Sequence, residues 1–134
     1  MPDYVIRRII KALSEQGKAL KGAKILVLGV AYKKDIDDMR ESPALTLIEM
    51  LIKEGAEVSY HDPHIPRIGG LRSHTLEMDS VELDMDKLGE YDLVLIAADH
   101  NVFPYNEIWD RAKLIVDTRG VYQDRDEGEG FIRA

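Results

Sequence analysis

The chain has 134 residues, 45% of them hydrophobic, enough for one core that buries roughly two-thirds of the surface its unfolded form exposes. It contains no cysteine, which excludes disulfides, thiolate metal sites and a cysteine nucleophile. A net charge of −7 argues against nucleic acid as a partner, because phosphate neutralisation needs a concentrated basic face, and suits a surface kept soluble by acidic groups.

Val5, Ile6, Ile9, Ile10 and Leu13 recur at three- and four-residue spacing, which predicts a helix from near Pro2-Asp3 to near Gly17. Ile25-Leu26-Val27-Leu28, inside Ala23 to Ala31, is the near-continuous apolar run of a strand buried on both faces. The longest uninterrupted apolar run, Ile25 to Ala31, is far short of the ~20 residues of a membrane span, and no signal-peptide pattern opens the sequence. A soluble, cytoplasmic protein with no membrane partner is expected. Ser42 as N-cap and Pro43 at the first helical position open a second helix, with Ala44, Leu47, Ile48 and Leu51 as its stripe and Gly55 as its stop. Glu57 to Tyr60 reads as a second strand, so strand, crossover helix and strand form a parallel unit.

From Asp62-Pro63 to Ser80 the pattern weakens into a long surface connection, with short edge strands expected around Leu71 to His74 and Val81 to Leu83. Asp92 to Ala98 restores a buried strand, followed by a short helix from about Tyr105 to Ala112 and a strand at Leu114 to Asp117. At least four strands result. The charged, glycine-containing stretch Gln123 to Gly130 reads as mobile, with Phe131-Ile132 able to dock as a sheet edge. The fold expected is a three-layer Rossmann-like α/β domain, a parallel sheet flanked by helices.

Ligands of such sheets bind beyond the carboxyl ends of the strands. The first strand ends in Leu28-Gly29-Val30-Ala31-Tyr32, which lacks the G-x-G-x-x-G that lets backbone approach a pyrophosphate. Phosphate would have to be met by side chains, and Lys33, Lys34 and Arg40 stand in the following loop. Lysine offers a point charge and arginine a planar fork for bidentate binding. The same charges could equally pair with Asp35, Asp37 and Asp38 in a solvated cluster worth little. His61, Asp62 and His64 could suggest a metal, but Pro63 stiffens the turn and a strand-ending Asx turn is the better account, with no metal expected. His100 after Asp99 is favoured as a satisfied loop residue over an acid or base, and Phe103, Tyr105 and Trp109 as packing for the short helix.

The loop as a whole resembles a signature of the UDP-glucose/GDP-mannose dehydrogenase family: an aromatic-Lys pair (Tyr32-Lys33), an acidic stretch (Asp35 to Asp38), an arginine (Arg40) and Ser42-Pro43. Gly55-Ala56-Glu57-Val58, Asp62-Pro63, Tyr91-Asp92-Leu93, Asp99-His100 and Val116-Asp117-Thr118-Arg119-Gly120 resemble later strands of the family's last domain. Residues 1–20 resemble the helix linking its central and last domains, and 21–134 the nucleotide-sugar-binding domain itself. The likeness is nearest the branch oxidising UDP-N-acetylglucosamine or its epimer. The resemblance implies that Tyr32, Lys33 and Arg119 contact a UDP-sugar, and that Arg40 reaches NAD held mainly by a separate N-terminal domain. It also implies partnership with the NAD-binding and central catalytic domains of the same enzyme. Family enzymes oxidise the sugar C6 alcohol to a carboxylate through a cysteine-bound intermediate. With no cysteine and no dinucleotide fingerprint, the chain is expected to be catalytically incomplete alone.

Two other classes compete. A receiver-like signalling domain would be a parallel α/β domain with Asp99 and Thr118 after its later strands, but Tyr32-Lys33-Lys34 would repel its Mg²⁺. An assembly module, including a homo-oligomer, would follow if the first helix had to cover its apolar stripe with a second copy.

Overall fold

The computed structural model describes residues 2–31, 42–71 and 74–134. Helix α1 (Pro2–Glu15) buries Val5, Ile6, Ile9, Ala12 and Leu13, the stripe its spacing predicts. Strand β1 (Lys24–Leu28) follows. In helix α2 (Pro43–Lys53) the Ser42 hydroxyl accepts from the Ala44 N–H at 3.3 Å, so the cap read from Ser-Pro is the cap that forms. Strand β2 (Glu57–His61) lies parallel to β1, with Ile25 opposite Val58.

The next segment departs from expectation. The edge strands form at β3 (Arg67–Ile68) and β4 (Met78–Asp79), paired antiparallel, and not at 71, 74 or 81–83, while 72 and 73 of the expected first edge strand lie outside the described residues. Tyr60 explains the shift: its hydroxyl donates to the Ile65 carbonyl at 3.0 Å, and the Ser80 N–H reaches the Pro66 carbonyl at 2.9 Å. These bonds draw the two ends of the connection together and leave Ile68 fully buried. A 3₁₀ helix (Met85–Glu90), capped by Asp84, then leads into β5 (Leu93–Ile96), α3 (Tyr105–Arg111), β6 (Ile115–Asp117) and β7 (Phe131–Arg133).

The main sheet has five parallel strands in the order β2-β1-β5-β6-β7. Side-chain alternation splits the core into two layers. Ile25, Val27, Leu93, Leu95 and Val116 face α1 and α2, whereas Leu26, Leu28, Val94, Ile96 and Ile115 face α3 and the 3₁₀ helix through Leu88, Phe103 and Ile108. The stripe of α1 is thus covered by α2 and this sheet.

Phe131-Ile132 docks as the sheet edge, as its sequence allows. The stretch before it, read as mobile, carries several anchors. The Arg133 guanidinium donates to the carbonyls of Tyr122 at 3.0 Å and Gln123 at 3.2 Å and also reaches that of Arg125, while Glu127 accepts from the Arg133 N–H at 2.9 Å. Among the described residues, no helix is long and apolar enough to cross a membrane.

Candidate functional site

Four strands deliver their carboxyl ends to one edge of the sheet: β1 at Gly29 to Ala31, β2 at Asp62, β5 at Ala97 to His100 and β6 at Asp117 to Arg119. A cavity of ≈ 280 Å³ opens there, lined by Ala31, Ala97, Thr118 and Arg119 from the strand ends and by Pro43 and Leu47 from α2. A cavity of ≈ 320 Å³ at the opposite edge mixes Lys24 and Lys87 with Glu57 and Glu90, so its charges offset. The carboxyl edge is the one where parallel sheets bind ligands.

Arg119 is held there through its backbone. The buried Asp117 carboxylate accepts from the N–H groups of Arg119 and Gly120 through Oδ1, each at 2.9 Å, and from that of Tyr122 through Oδ2 at 2.9 Å. An aspartate followed by Gly three positions on is an Asx-turn signal, and its part in aiming Arg119 went unread in the sequence. Thr118 adds a bond from its hydroxyl to the Ile96 carbonyl at 2.7 Å, locking the β6 end to the β5 end. The Arg119 side chain is exposed, and among the described residues it makes no hydrogen bond or ion pair, which leaves its guanidinium at the cavity wall.

Tyr32, Lys33 and Arg40 lie outside the described residues, as do the acidic partners weighed against them. Their flanks are described. Ala31 lines the cavity on one side and Pro43 on the other, and the Ser42 hydroxyl donates to the Ala31 carbonyl at 3.4 Å, joining the two flanks.

The turn after β2 is tied to backbone, as read from Asp62-Pro63. Asp62 Oδ1 accepts from the His64 N–H at 2.8 Å, and Oδ2 from the N–H groups of Val30 at 2.8 Å and Ala31 at 3.1 Å. His61 turns its ring to the Val81 carbonyl at 2.7 Å. His100 is fully buried with Nε2 2.9 Å from Asp62 Oδ2, the satisfied histidine expected there. Among the described residues no group of three His, Asp or Glu is placed to hold a metal.

Beside this edge an aromatic cluster supports α3. Phe103, Tyr105, Tyr122, Trp109 and Phe131 meet edge to face or tilted at 5.1 to 6.0 Å. The Tyr105 hydroxyl bonds Asp99 at 2.8 Å, and the Tyr122 hydroxyl donates to the Tyr105 carbonyl at 2.6 Å. Burial first, and the neighbouring Asp99 carboxylate second, raise the Tyr105 pKa well above the usual phenol range. Burial does the same to Tyr122 and pushes Tyr60 up to about 12.

Residues 26–124 match the model of the UDP-glucose/GDP-mannose dehydrogenase family, UDP binding domain. A UDP-N-acetyl-D-mannosamine dehydrogenase of Methanococcus maripaludis is 30% identical over 131 residues, covering 92% of this chain and 28% of the relative. A UDP-glucose 6-dehydrogenase of Rhizobium meliloti is 32% identical over 119 residues, covering 84% and 26%. The solved structure of a UDP-D-ManNAc dehydrogenase from Pyrococcus horikoshii superposes with a TM-score of 0.77 at 26% identity, over 98% of this chain and 30% of that one. The chain therefore spans about 28% of the length of the curated relatives it matches.

Proposed function

From the premise that the chain belongs to the UDP-glucose/GDP-mannose dehydrogenase family, matching its UDP binding domain, we propose that it binds the nucleotide-sugar for an NAD-dependent UDP-N-acetylhexosamine 6-dehydrogenase. The observation that carries this reading is the cavity at the carboxyl edge. There Arg119, its backbone held by Asp117, lines the same cavity as Ala31 and Pro43, which flank the segment that holds Tyr32 and Lys33. Tyr32 and Lys33 contact the UDP-sugar, Arg119 supplies a second cation to it, and Arg40 reaches toward NAD. Residues 1–20 lead from a central domain, and 21–134 form the binding unit. The protein works in the cytoplasm with the NAD-binding and catalytic domains as its partners.

NAD does not fit the described residues by themselves. In a dinucleotide fold the backbone after the first strand stays open to pyrophosphate. Here a Cβ at Gly29 would stand 2.5 Å from the Ala98 Cβ, so the space beside that glycine is filled by protein. Helix α2 starts with Ser42-Pro43 and not with a glycine turn. No hydride step is therefore assigned to these residues. The absence of cysteine places the covalent chemistry of C6 oxidation outside this sequence as well.

Calorimetric titration of UDP into the protein tests the reading. UDP should bind with an affinity that weakens as salt is raised, and Lys33→Ala and Arg119→Ala should each weaken it by about tenfold or more, the loss of a charge-assisted hydrogen bond. Binding of UDP unaffected by both substitutions, or of Mg²⁺ in place of UDP, would refute it.

A further inference from the structure

One polar cluster at this edge lies inside the protein. The side chains of Asp62 and His100 are both 0% exposed. Asp62 uses both oxygens: Oδ1 takes the His64 N–H, while Oδ2 takes the N–H groups of Val30 and Ala31 together with His100 Nε2. A carboxylate only accepts, so the histidine proton sits on Nε2. A turn aspartate serving β2 alone would stay near the surface, because burying a carboxylate is unfavourable unless its lone pairs are met. Asp62 reaches instead to β1. It fixes the last described backbone before residues 32–41, and the Ser42 hydroxyl fixes the Ala31 carbonyl from the other flank.

We infer that Asp62 and His100 are positioning residues of the nucleotide-sugar site: His100 holds the Asp62 carboxylate, and that carboxylate sets the backbone that leads into Tyr32 and Lys33. The inference rests on the reading that Lys33 meets the nucleotide-sugar. Networks of this kind act through geometry, so losing one donor should disturb the aim of the segment while the sheet persists.

The ring of His100 also packs on His64 at 4.7 Å and Phe103 at 5.3 Å, so His100→Phe keeps an aromatic ring in place while removing the imidazole nitrogens, the Nε2 donor to Asp62 among them. His100→Gln restores a side-chain N–H. The amide spectra of both variants, without ligand and during UDP titration, separate the roles. In His100→Phe the amides of Val30, Ala31, Lys33 and Lys34 should shift with the rest of the spectrum retained, and UDP should bind roughly tenfold more weakly. His100→Gln should return both readouts toward the parent protein. Unchanged amides and UDP affinity in His100→Phe would overturn the inference, as would a His100→Gln variant no better than His100→Phe. If His100→Phe does not fold, Asp62→Asn reads the same amides, since its amide nitrogen must face an N–H donor at one end or the other; unchanged values there also refute the idea. Failure of the parent protein to bind UDP would sink the proposed function, while the ligand-free amide shifts would still decide the positioning role.

Discussion

Gly29→Ala is the sharpest test of how the carboxyl edge is packed. Gly29 has φ 84°, and a Cβ there would lie 2.5 Å from the Ala98 Cβ and 3.0 Å from both the Ala98 Cα and N. Two costs add: about 1–2 kcal/mol for an L side chain in the left-handed region, and about 1–3 kcal/mol for forcing a methyl into packed surroundings. The total of about 2–5 kcal/mol corresponds to a loss of roughly 8–20 °C in Tm, at about 4 °C per kcal/mol for a domain of this size. Gly17 supplies the control, with φ 76° and open space where its Cβ would be. Gly17→Ala should therefore cost only the backbone strain of about 1–2 kcal/mol. Adding Ala98→Gly to Gly29→Ala should recover part of the loss, because it removes the 2.5 Å contact and leaves the two at 3.0 Å. Thermal and urea unfolding of the three variants beside the parent protein measure this. If Gly29→Ala costs no more than Gly17→Ala, the β1 and β5 ends are not packed as described.

Asp92 accepts from the Lys18 ammonium and from the Lys24 N–H at 2.9 Å, and the Lys18 bond first, then the Lys24 bond, hold its pKa below the usual carboxylate range. A depressed folded-state pKa gives stability that is present above the unfolded value and lost as pH falls through the folded one, so urea stability should decline below about pH 4. Asp92→Asn should flatten that decline, and an unchanged slope would refute the pairing. Tyr60, Tyr105 and Tyr122 are all raised, Tyr60 to about 12, so three of the six tyrosines should resist ionisation at about pH 11 in an absorbance titration of the folded protein. Ionisation of all six there, without unfolding, would contradict the burial described.

The parts of the fold legible in the sequence are those whose signals are local. Ser42-Pro43 and Gly55 bracket α2 because a cap is written in adjacent residues, and Ile25 to Leu28 and Leu93 to Ile96 read as strands because burial on both faces demands unbroken apolar runs. Phe131-Ile132 could be read as an edge for the same reason. Two-residue strands carry no periodicity, which is why β3 and β4 were misplaced: their position depends on Tyr60 reaching Ile65 and Ser80 reaching Pro66. The 3₁₀ helix at Met85–Glu90 was missed although Asp84 caps it through the Asp86 N–H, since so short a helix lacks a stripe. At the carboxyl edge, Arg119 is proposed from resemblance, and the Asp62 turn was read from its chemistry. The reach of Asp62 across to β1 and His100 was not, because 32 and 38 residues separate the partners.

Mapping UDP onto the protein by amide chemical shifts tests the central claim most directly. The account predicts that UDP perturbs Ala31, Lys33, Thr118 and Arg119 at the carboxyl edge, and that Arg119→Ala reduces these shifts while amides near Lys24 and Lys87 at the opposite edge stay unchanged. Shifts centred on Lys24, Glu57 and Lys87, or no shifts at any residue with the protein folded, would contradict it.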